Sequence, residues 1–131
     1  GCEKIIKYLN DVKFSFNSYT VNRLTEAIGC AALSDKEYFE KTVRRVIDTR
    51  ERTKKQLKGL GFSFADSKTN FVFATHKTVP AKELFDALRA EGIIVRYFNK
   101  PRIDNYLRIS IGTDEEMDAM IAFLTEYLKD K

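Results

Sequence analysis

The chain has 131 residues, 44% of them hydrophobic and 32% charged, a composition typical of one soluble globular domain rather than a disordered segment. Its 23 basic and 19 acidic residues leave a formal net charge of +4, which is too mixed to indicate nucleic-acid binding by itself. No apolar run approaches the roughly 20 residues that cross a bilayer, and no signal peptide is evident, so we expect a cytoplasmic protein outside membranes. Two cysteines and one histidine are too few for a zinc site or a disulfide framework, and we predict no metal site.

The first third of the chain has the pattern of two helices. A helix is predicted over residues 3–12, because apolar side chains recur there at spacings of three and four. Residues 13–19 (KFSFNSY) interrupt that period, and a second helix is predicted from Ser18 or Thr20 to Leu33. In this second helix Leu24, Ile28 and Ala31 or Ala32 are expected to face inward, and Cys30 is interpreted as a core filler rather than a reactive thiol.

A long helix is predicted next. Ser34 and Glu37 have the spacing of a capping box that would start it, and Gly59 and Gly61 would end it. The expected apolar stripe consists of Phe39, Val43, Val46, Thr53, Leu57 and Leu60. The basic residues (Lys36, Lys41, Arg44, Arg45, Arg50, Arg52, Lys54, Lys55 and Lys58) are interleaved with acidic ones, which favours a solvated helix back over a nucleic-acid face.

After residue 61 the hydrophobic period changes from helical to strand-like. Strands are predicted over residues 62–65, 70–75, 93–98 and 106–111, with a helix over residues 80–90 ended by Gly92. Thr113 and Glu116 form another capping box, which begins a last helix. That helix carries Met117, Met120, Ile121, Leu124 and Leu128 on one face. The order of elements predicts an α+β fold in which a sheet of about four strands, in ββαββα order, follows the connecting helices and the long helix.

Arg108 is the residue that a purely structural account explains least well. It lies between Leu107 and Ile109 in a predicted strand, so its side chain points to the face opposite theirs. A guanidinium held on a strand is a rigid fork for a carboxylate or a phosphate, and Arg96 in the preceding strand could contact the same anion. On residue type alone, a structural salt bridge or an exposed strand face is the favoured explanation of both arginines.

No set of catalytic side chains is visible in the sequence. The single histidine, His76, has no evident nucleophile or acidic partner and is interpreted as a solvated turn residue. Aromatic strands in ββαββα order are also typical of RNA-binding domains. Residues 106–111 read YLRISI instead of the expected RNA-binding run, so a stand-alone RNA- or anion-binding module is kept as the alternative.

Five short motifs carry a resemblance that changes this balance. They are residues 50–52 (RER), 67–72 (SKTNFV), 92–96 (GIIVR), 99–101 (NKP) and 106–113 (YLRISIGT). In this order and at these spacings, they resemble the C-terminal part of the fold-type I pyridoxal-phosphate aminotransferases, specifically the histidinol-phosphate aminotransferase branch. The similarity extends from about Gly1 to Leu128.

The resemblance implies that residues 1–33 are connecting helices from a large domain absent from this chain, and that residues 34–131 form the small domain. In the family, pyridoxal phosphate is bound through a lysine in a Ser-x-x-Lys segment that precedes this region, and the sequence contains no such segment. We therefore expect no catalytic residue and no cofactor-binding residue in this chain.

The residues that the resemblance assigns to substrate binding are Arg108, Arg96 and, with a weaker match, Asn70. The implied partners are the missing large domain, a second subunit in a homodimer and a small amino substrate, without nucleic acid. The apolar stripe of the first helix (Ile5, Ile6, Leu9 and Val12) is expected to be covered by protein outside this chain. In this chain alone, about the first 17 residues are expected to be either disordered or packed against a second copy.

Overall fold

A computed structural model describes residues 1–16, 19–129 and 131, and of Phe16 its backbone alone. The chain divides into two compact units, Gly1–Phe39 and Glu40–Lys131. Helix α1 spans Glu3–Phe16, helix α2 spans Arg23–Ser34, and helix α3 spans Lys36–Gly59. Helix α1 thus runs past the predicted end at Val12.

Helix α2 begins later than predicted. Asn22 is its N-cap, with Oδ1 accepting a hydrogen bond of 2.9 Å from the Thr25 N–H. Of the two predicted starting residues, Thr20 precedes the helix and Ser18 lies outside the described residues.

The prediction of an inward face on α2 is wrong. The helix has no buried residue, and the residues expected inside, including Leu24, Ile28 and Cys30, are exposed. Cys30 is therefore not a core filler. The physical reason is that small apolar side chains at helical spacing show which face could be buried, but not whether anything packs against it.

The predicted capping box at the start of α3 is also wrong. Asp35 caps the helix instead, because its Oδ1 accepts a hydrogen bond of 3.1 Å from the Tyr38 N–H. The Ser34 hydroxyl donates back to the Cys30 carbonyl at 2.9 Å and so belongs to α2. A carboxylate one residue further along takes over the capping role, which Asp performs as well as Ser.

The burial of α3 also differs from the prediction. Leu57 and Thr53 are fully buried as expected, whereas Phe39 and Val43 are 51% and 39% exposed. Arg50 and Lys54, assigned to the solvated back of the helix, are buried at 5% and 7% exposure. Both have partners in the chain, which is what allows these cations to leave water.

The second unit completes the fold with four strands and two further helices. In chain order these are β1 (Phe62–Phe64), β2 (Phe71–His76), α4 (Ala81–Ala90), β3 (Arg96–Tyr97), β4 (Leu107–Ser110) and α5 (Asp114–Tyr127). The strands form one antiparallel sheet in the order β1-β2-β4-β3. The predicted α+β class, the four strands and their ββαββα order are confirmed.

One face of the sheet forms the hydrophobic core. Val72 pairs with Ile109 across β2 and β4, and Ala74 pairs with Leu107, and all four are at most 2% exposed. The helices contribute most of the other core side chains, among them Leu57, Leu84, Leu88, Met117, Met120 and Leu124. Because side chains alternate along a strand, the residues between these core positions point to the opposite face.

Strand β3 is much shorter than the predicted strand over residues 93–98. The Gly92 N–H donates to the Arg89 carbonyl at 3.1 Å, and the Ile93 N–H donates to the Leu88 carbonyl at 2.9 Å. With Gly92 at φ +76°, this is the Schellman arrangement that ends a helix. Ile93 therefore completes the end of α4 instead of pairing in the sheet.

The two remaining helix starts differ in how they are capped. The predicted capping box of Thr113 and Glu116 is confirmed, with both reciprocal hydrogen bonds present at the start of α5. Helix α4 has Pro80 as its N-cap, which offers no side-chain acceptor. Asn105 supplies that acceptor from the loop before β4, since its Oδ1 accepts from the Ala81 N–H at 2.9 Å.

His76 is buried and fully hydrogen-bonded, so its interpretation as a solvated turn residue is wrong. It is 6% exposed, and its Nε2 lies 2.8 Å from the Leu60 carbonyl oxygen. Its Nδ1 lies 3.1 Å from the Val79 N–H nitrogen and accepts that hydrogen bond. The imidazole thereby joins the end of α3 to the turn before α4 and packs edge-on against Phe62.

Within the described ranges, no helix is both long and apolar enough to span a bilayer.

Candidate functional site

The face of the sheet opposite the core carries both candidate arginines. Arg108 on β4 pairs directly with Phe73 on β2 and with Arg96 on β3. Directly opposed residues of antiparallel strands project to the same side, so these three side chains share one face. We call this surface the arginine face. It consists of Phe71, Phe73, Arg96, Phe98, Tyr106 and Arg108.

Arg108 is partly buried among aromatic rings. Its Cζ lies 5.2 Å from the ring centroid of Phe71 and 5.9 Å from that of Phe98. Its Nε is buried and has no hydrogen-bond partner among the described residues. The aromatic faces therefore replace water around part of the guanidinium, and the other nitrogen atoms are the ones that can bind a ligand.

Arg96 is more exposed, and it shares one of these rings. Its Cζ lies 5.4 Å from the centroid of Phe98. Like charges at directly opposed strand positions are destabilising. No ion pair among the described residues includes either Arg96 or Arg108. The arrangement is therefore a pair of cations without a counter-ion among the described residues, and it is suited to bind an anion such as a phosphate or a carboxylate.

The aromatic side chains of the arginine face support one another. The rings of Phe73 and Tyr106 are stacked, with centroids 4.8 Å apart and an interplanar angle of 13°. Phe98 meets Phe73 edge to face at a centroid distance of 6.2 Å. Contacts of this kind restrict the rings, so the surface under the two guanidinium groups is a fixed platform.

Hydrogen bonds from α3 and within the loop itself fix the loop before β2. The Arg50 Nη1 donates to the Thr69 carbonyl oxygen at 3.1 Å. The hydroxyls of Ser67 and Thr69 both donate to the Phe71 carbonyl oxygen, at 2.6 Å and 3.1 Å. These hydrogen bonds hold the loop where it enters β2, and they place the Phe71 ring beside Arg108.

A cluster of charges on α3 anchors the other end of the same loop. Lys54 contacts Asp66 and bonds Glu51 at 3.0 Å. The hydrogen bond to the Asp66 carboxylate is the largest influence that raises the pKa of the Lys54 ammonium, and the hydrogen bond to Glu51 is the second largest. In return Lys54 is the largest influence that lowers the pKa of Asp66, ahead of Lys68. Each group is thus held in its charged form while the loop is in place.

Asn70 is not brought together with the two arginines. It is exposed and lies one residue before β2, where its carbonyl oxygen accepts a hydrogen bond of 2.8 Å from the Ile111 N–H. The alternation along the strand assigns its side chain to the side opposite Phe71 and Arg108. Of the three predicted substrate-binding residues, the structure therefore groups Arg96 with Arg108 and leaves Asn70 at the end of the sheet.

Pyridoxal phosphate is attached covalently to its enzymes through a lysine side chain. The arginine face carries no lysine within the described part of the chain. Lys54, the buried lysine of α3, has Glu51 and Asp66 as partners. The residues of the arginine face are suited to bind an anion.

Sequence reasoning identified the two arginines but missed the residues that support them. The sequence assigns Phe71 and Phe98 to strands and Arg50 to a solvated helix face, and the RER and SKTNFV motifs that contain Arg50 and Phe71 do not indicate a supporting role for either. The available signal was the spacing of two between Arg96 and Phe98, which puts both on one strand face. No comparable signal connects Arg50 with Thr69, because their contact depends on tertiary packing.

Comparison with known proteins places these observations in a family. The family model described as "Aminotransferase class I and II" matches residues 1–124. A histidinol-phosphate aminotransferase from Lactococcus lactis is 53% identical over 131 residues, which cover 100% of this chain and 37% of that protein. One from Brachyspira hyodysenteriae is 48% identical over 130 residues, 99% of this chain and 37% of the relative. The chain thus spans about 37% of the length of these relatives.

Solved structures show the same fold. The histidinol-phosphate aminotransferase from Sinorhizobium meliloti in complex with pyridoxal-5'-phosphate has a TM-score of 0.75 at 27% identity, over 87% of this chain and 32% of that one. The enzyme from Clostridium acetobutylicum has a TM-score of 0.77 over 92% of this chain and 37% of that one. At 21% identity, this second likeness concerns the fold alone.

These matches favour the aminotransferase interpretation over the stand-alone RNA- or anion-binding module. The relatives are histidinol-phosphate aminotransferases, and their similarity runs through both units of the chain. The family model likewise covers the connecting helices, the long helix and the sheet. This chain therefore belongs to the class I and II aminotransferase family.

Proposed function

We propose that this chain is the C-terminal part of a pyridoxal-phosphate-dependent aminotransferase that acts on histidinol phosphate or a similar amino substrate. The observation that carries the proposal is the opposed pair Arg96 and Arg108, which has no acidic partner among the described residues. The names of the relatives support the same activity.

In this proposal, the two arginines bind the anionic end of the substrate. Arg108 is restrained by Phe71 and Phe98, so its free guanidinium nitrogens can donate to two oxygens of a phosphate in a fixed direction. Arg96 adds a second cation from the neighbouring strand. Gripping the far end of the substrate orients its amino group without taking part in proton transfer.

Asn70 is proposed as a further substrate-binding residue on the strength of the sequence resemblance. It is exposed at the start of β2 and hence available to a group that approaches the end of the sheet. Its side chain lies on the other side from the arginines, so its proposed contact is with a different part of the substrate.

The cofactor and the remaining walls of the site are proposed to come from elsewhere. Pyridoxal phosphate supplies the electron-withdrawing ring of transamination when it is bound in the complete enzyme. We propose that its lysine lies in the large domain, that two subunits form the enzyme in the cytoplasm, and that this chain alone is inactive. A saturable aldimine absorbance in this chain, removed by replacing one of its lysines, would contradict that last statement.

The proposal is tested by kinetics of the complete enzyme that contains this chain. We expect Arg108→Ala to lower kcat/KM while pyridoxal phosphate stays bound. The decrease should correspond to a loss of about 2 to 4 kcal/mol of transition-state stabilisation, because charged hydrogen bonds to the substrate are lost. Arg108→Lys should recover only part of the loss, because the bidentate fork is gone.

A second comparison separates the roles of the two arginines. Arg96→Ala should affect a phosphate-bearing substrate more than a simple amino acid, since Arg96 supplies the second positive charge. Near-wild-type kinetics of both alanine variants on histidinol phosphate would show that the arginines have a structural role only.

A further inference from the structure

The two arginines of the proposed anion site share one aromatic ring. The Phe98 centroid lies 5.4 Å from the Arg96 Cζ and 5.9 Å from the Arg108 Cζ. Phe71, by comparison, is close to Arg108 only. Within the described residues, Phe98 is the ring in contact with both guanidinium groups.

This shared contact offsets the repulsion between the two cations. The face of an aromatic ring is electron-rich and attracts a guanidinium, so one ring close to two cations interacts favourably with each. A carboxylate in the same position would hold the arginines together too, but it would occupy the N–H groups that the substrate needs. A phenyl ring leaves those donors free.

The ring itself is held in place. Phe98 follows Arg96 by two residues, which puts both side chains on the arginine face. The ring is half-buried and meets Phe73 edge to face at 6.2 Å. Its orientation is thus set by the sheet before any ligand arrives.

We propose that Phe98 is a positioning residue that holds Arg96 and Arg108 together in the unliganded site, ready for an anion with two negative charges. This inference rests on the proposed function, because it requires the two arginines to bind the anionic group of the substrate. Phe98 acts through the arginines and makes no contact with the reacting atoms.

The test is a titration of the 131-residue chain with inorganic phosphate, followed by NMR of the arginine side-chain N–H groups. We expect Phe98→Leu to weaken phosphate binding about tenfold, the effect of losing two cation–π contacts at partly exposed sites. Phe98→Tyr keeps the ring and should stay within about twofold of the wild type.

Phe85→Leu is the matched control. Phe85 on α4 is partly buried, and it too has two cations near its ring, Lys82 at 5.8 Å and Arg89 at 5.9 Å. It packs with the core on the other side of the sheet. We expect this variant to bind phosphate as the wild type does, and an equal loss in both leucine variants would overturn the role of Phe98.

The Arg108→Ala variant in the same titration separates the possible failures. If Arg108→Ala leaves phosphate binding unchanged, the proposed function and the role of Phe98 both fail. If Arg108→Ala weakens binding and Phe98→Leu does not, only the role of Phe98 is overturned.

The wild-type chain gives an answer even if Phe98→Leu does not fold. Its arginine side-chain protons should show upfield ring-current shifts at both Arg96 and Arg108. An Arg96 without such a shift would overturn the inference, and shifts at both arginines would support it.

Discussion

Replacing Arg50 with methionine should loosen the loop that carries Phe71 to the arginine face. Arg50 is 5% exposed and donates a charged hydrogen bond of 3.1 Å to the Thr69 carbonyl. A hydrogen bond of this kind contributes roughly 1.5–3 kcal/mol, and the low end applies because Thr69 is exposed and its carbonyl can regain water. The Glu51 contact adds little, since that side chain is 44% exposed and keeps Lys54 as a partner.

We therefore expect Arg50→Met to lower the free energy of unfolding by about 2 kcal/mol, because methionine preserves the buried stem and removes only the charged group. For a domain of about 60–100 residues this corresponds to a fall in Tm of roughly 8–16 °C. Denaturant and thermal unfolding measure both quantities. Arg44→Met is the matched control, because Arg44 is exposed on the same helix.

Hydrogen exchange shows whether the loss is in the loop. The Thr69 N–H bonds the Ser67 hydroxyl and the Phe71 N–H bonds the Thr69 hydroxyl, so both amides should exchange faster in Arg50→Met. A destabilisation no larger than that of Arg44→Met, or one that leaves these two amides unchanged, would refute the reasoning.

Three other substitutions probe separate parts of the second unit. Lys54→Met should lower the free energy of unfolding at neutral pH. Because Lys54 lowers the pKa of Asp66, their interaction stabilises the fold only while the Asp66 carboxylate is ionised. The difference from the wild type, measured by unfolding at a series of pH values, should therefore shrink below about pH 4. Thr113→Ala should cost about 1 kcal/mol in denaturant unfolding through loss of the capping box, whereas Thr125→Ala inside the same helix should cost almost nothing. His76→Phe should cost about 2–5 kcal/mol in the same assay, because a buried backbone carbonyl and N–H lose their partner, and His76→Gln should recover part of it.

The parts of the fold that could be predicted from sequence are those set by local patterns. The alternation of apolar and polar residues within 62–75 and 106–111 correctly predicted strands of the sheet. The spacing of Thr113 and Glu116 correctly predicted the start of α5, because the hydrogen bonds of a capping box lie within one helical turn. The same reasoning placed Arg108 on the face opposite Leu107 and Ile109, as the structure has it.

The wrong predictions concern residues whose hydrogen-bond partners the local pattern does not reveal. His76 looks polar in isolation, but its two partners come from the end of α3 and from the turn that follows β2. Ile93 has the β-branched character of a strand residue, yet its N–H completes the end of α4. Propensity gives the local preference of a segment. At His76 a tertiary hydrogen bond to the Leu60 carbonyl decided against it, and at Ile93 the end of the preceding helix did.

The apolar stripe of α1 leads to the last prediction. Ile5, Ile6, Leu9 and Val12 are exposed by 60%, 47%, 59% and 68%. Burying a full apolar side chain contributes roughly 1.5–3 kcal/mol, so two half-exposed stripes that face each other gain about 6–12 kcal/mol together. Association costs at least about 4 kcal/mol. The balance of at most about 2–8 kcal/mol predicts weak self-association of the chain, with a Kd no lower than roughly one micromolar.

Sedimentation equilibrium at several concentrations measures this association. Leu9→Glu should shift the chain to the monomer because it puts a charge in the apolar stripe. Asn10→Glu introduces the same charge at the next position, on the polar side of the helix, and should leave the association unchanged. Deleting residues 1–16 should also give a monomer, with the sheet still folded because its core belongs to the second unit. A wild-type chain that stays monomeric, with the α1 amides protected from exchange, would show that the stripe is covered within the same chain and that self-association is not its role.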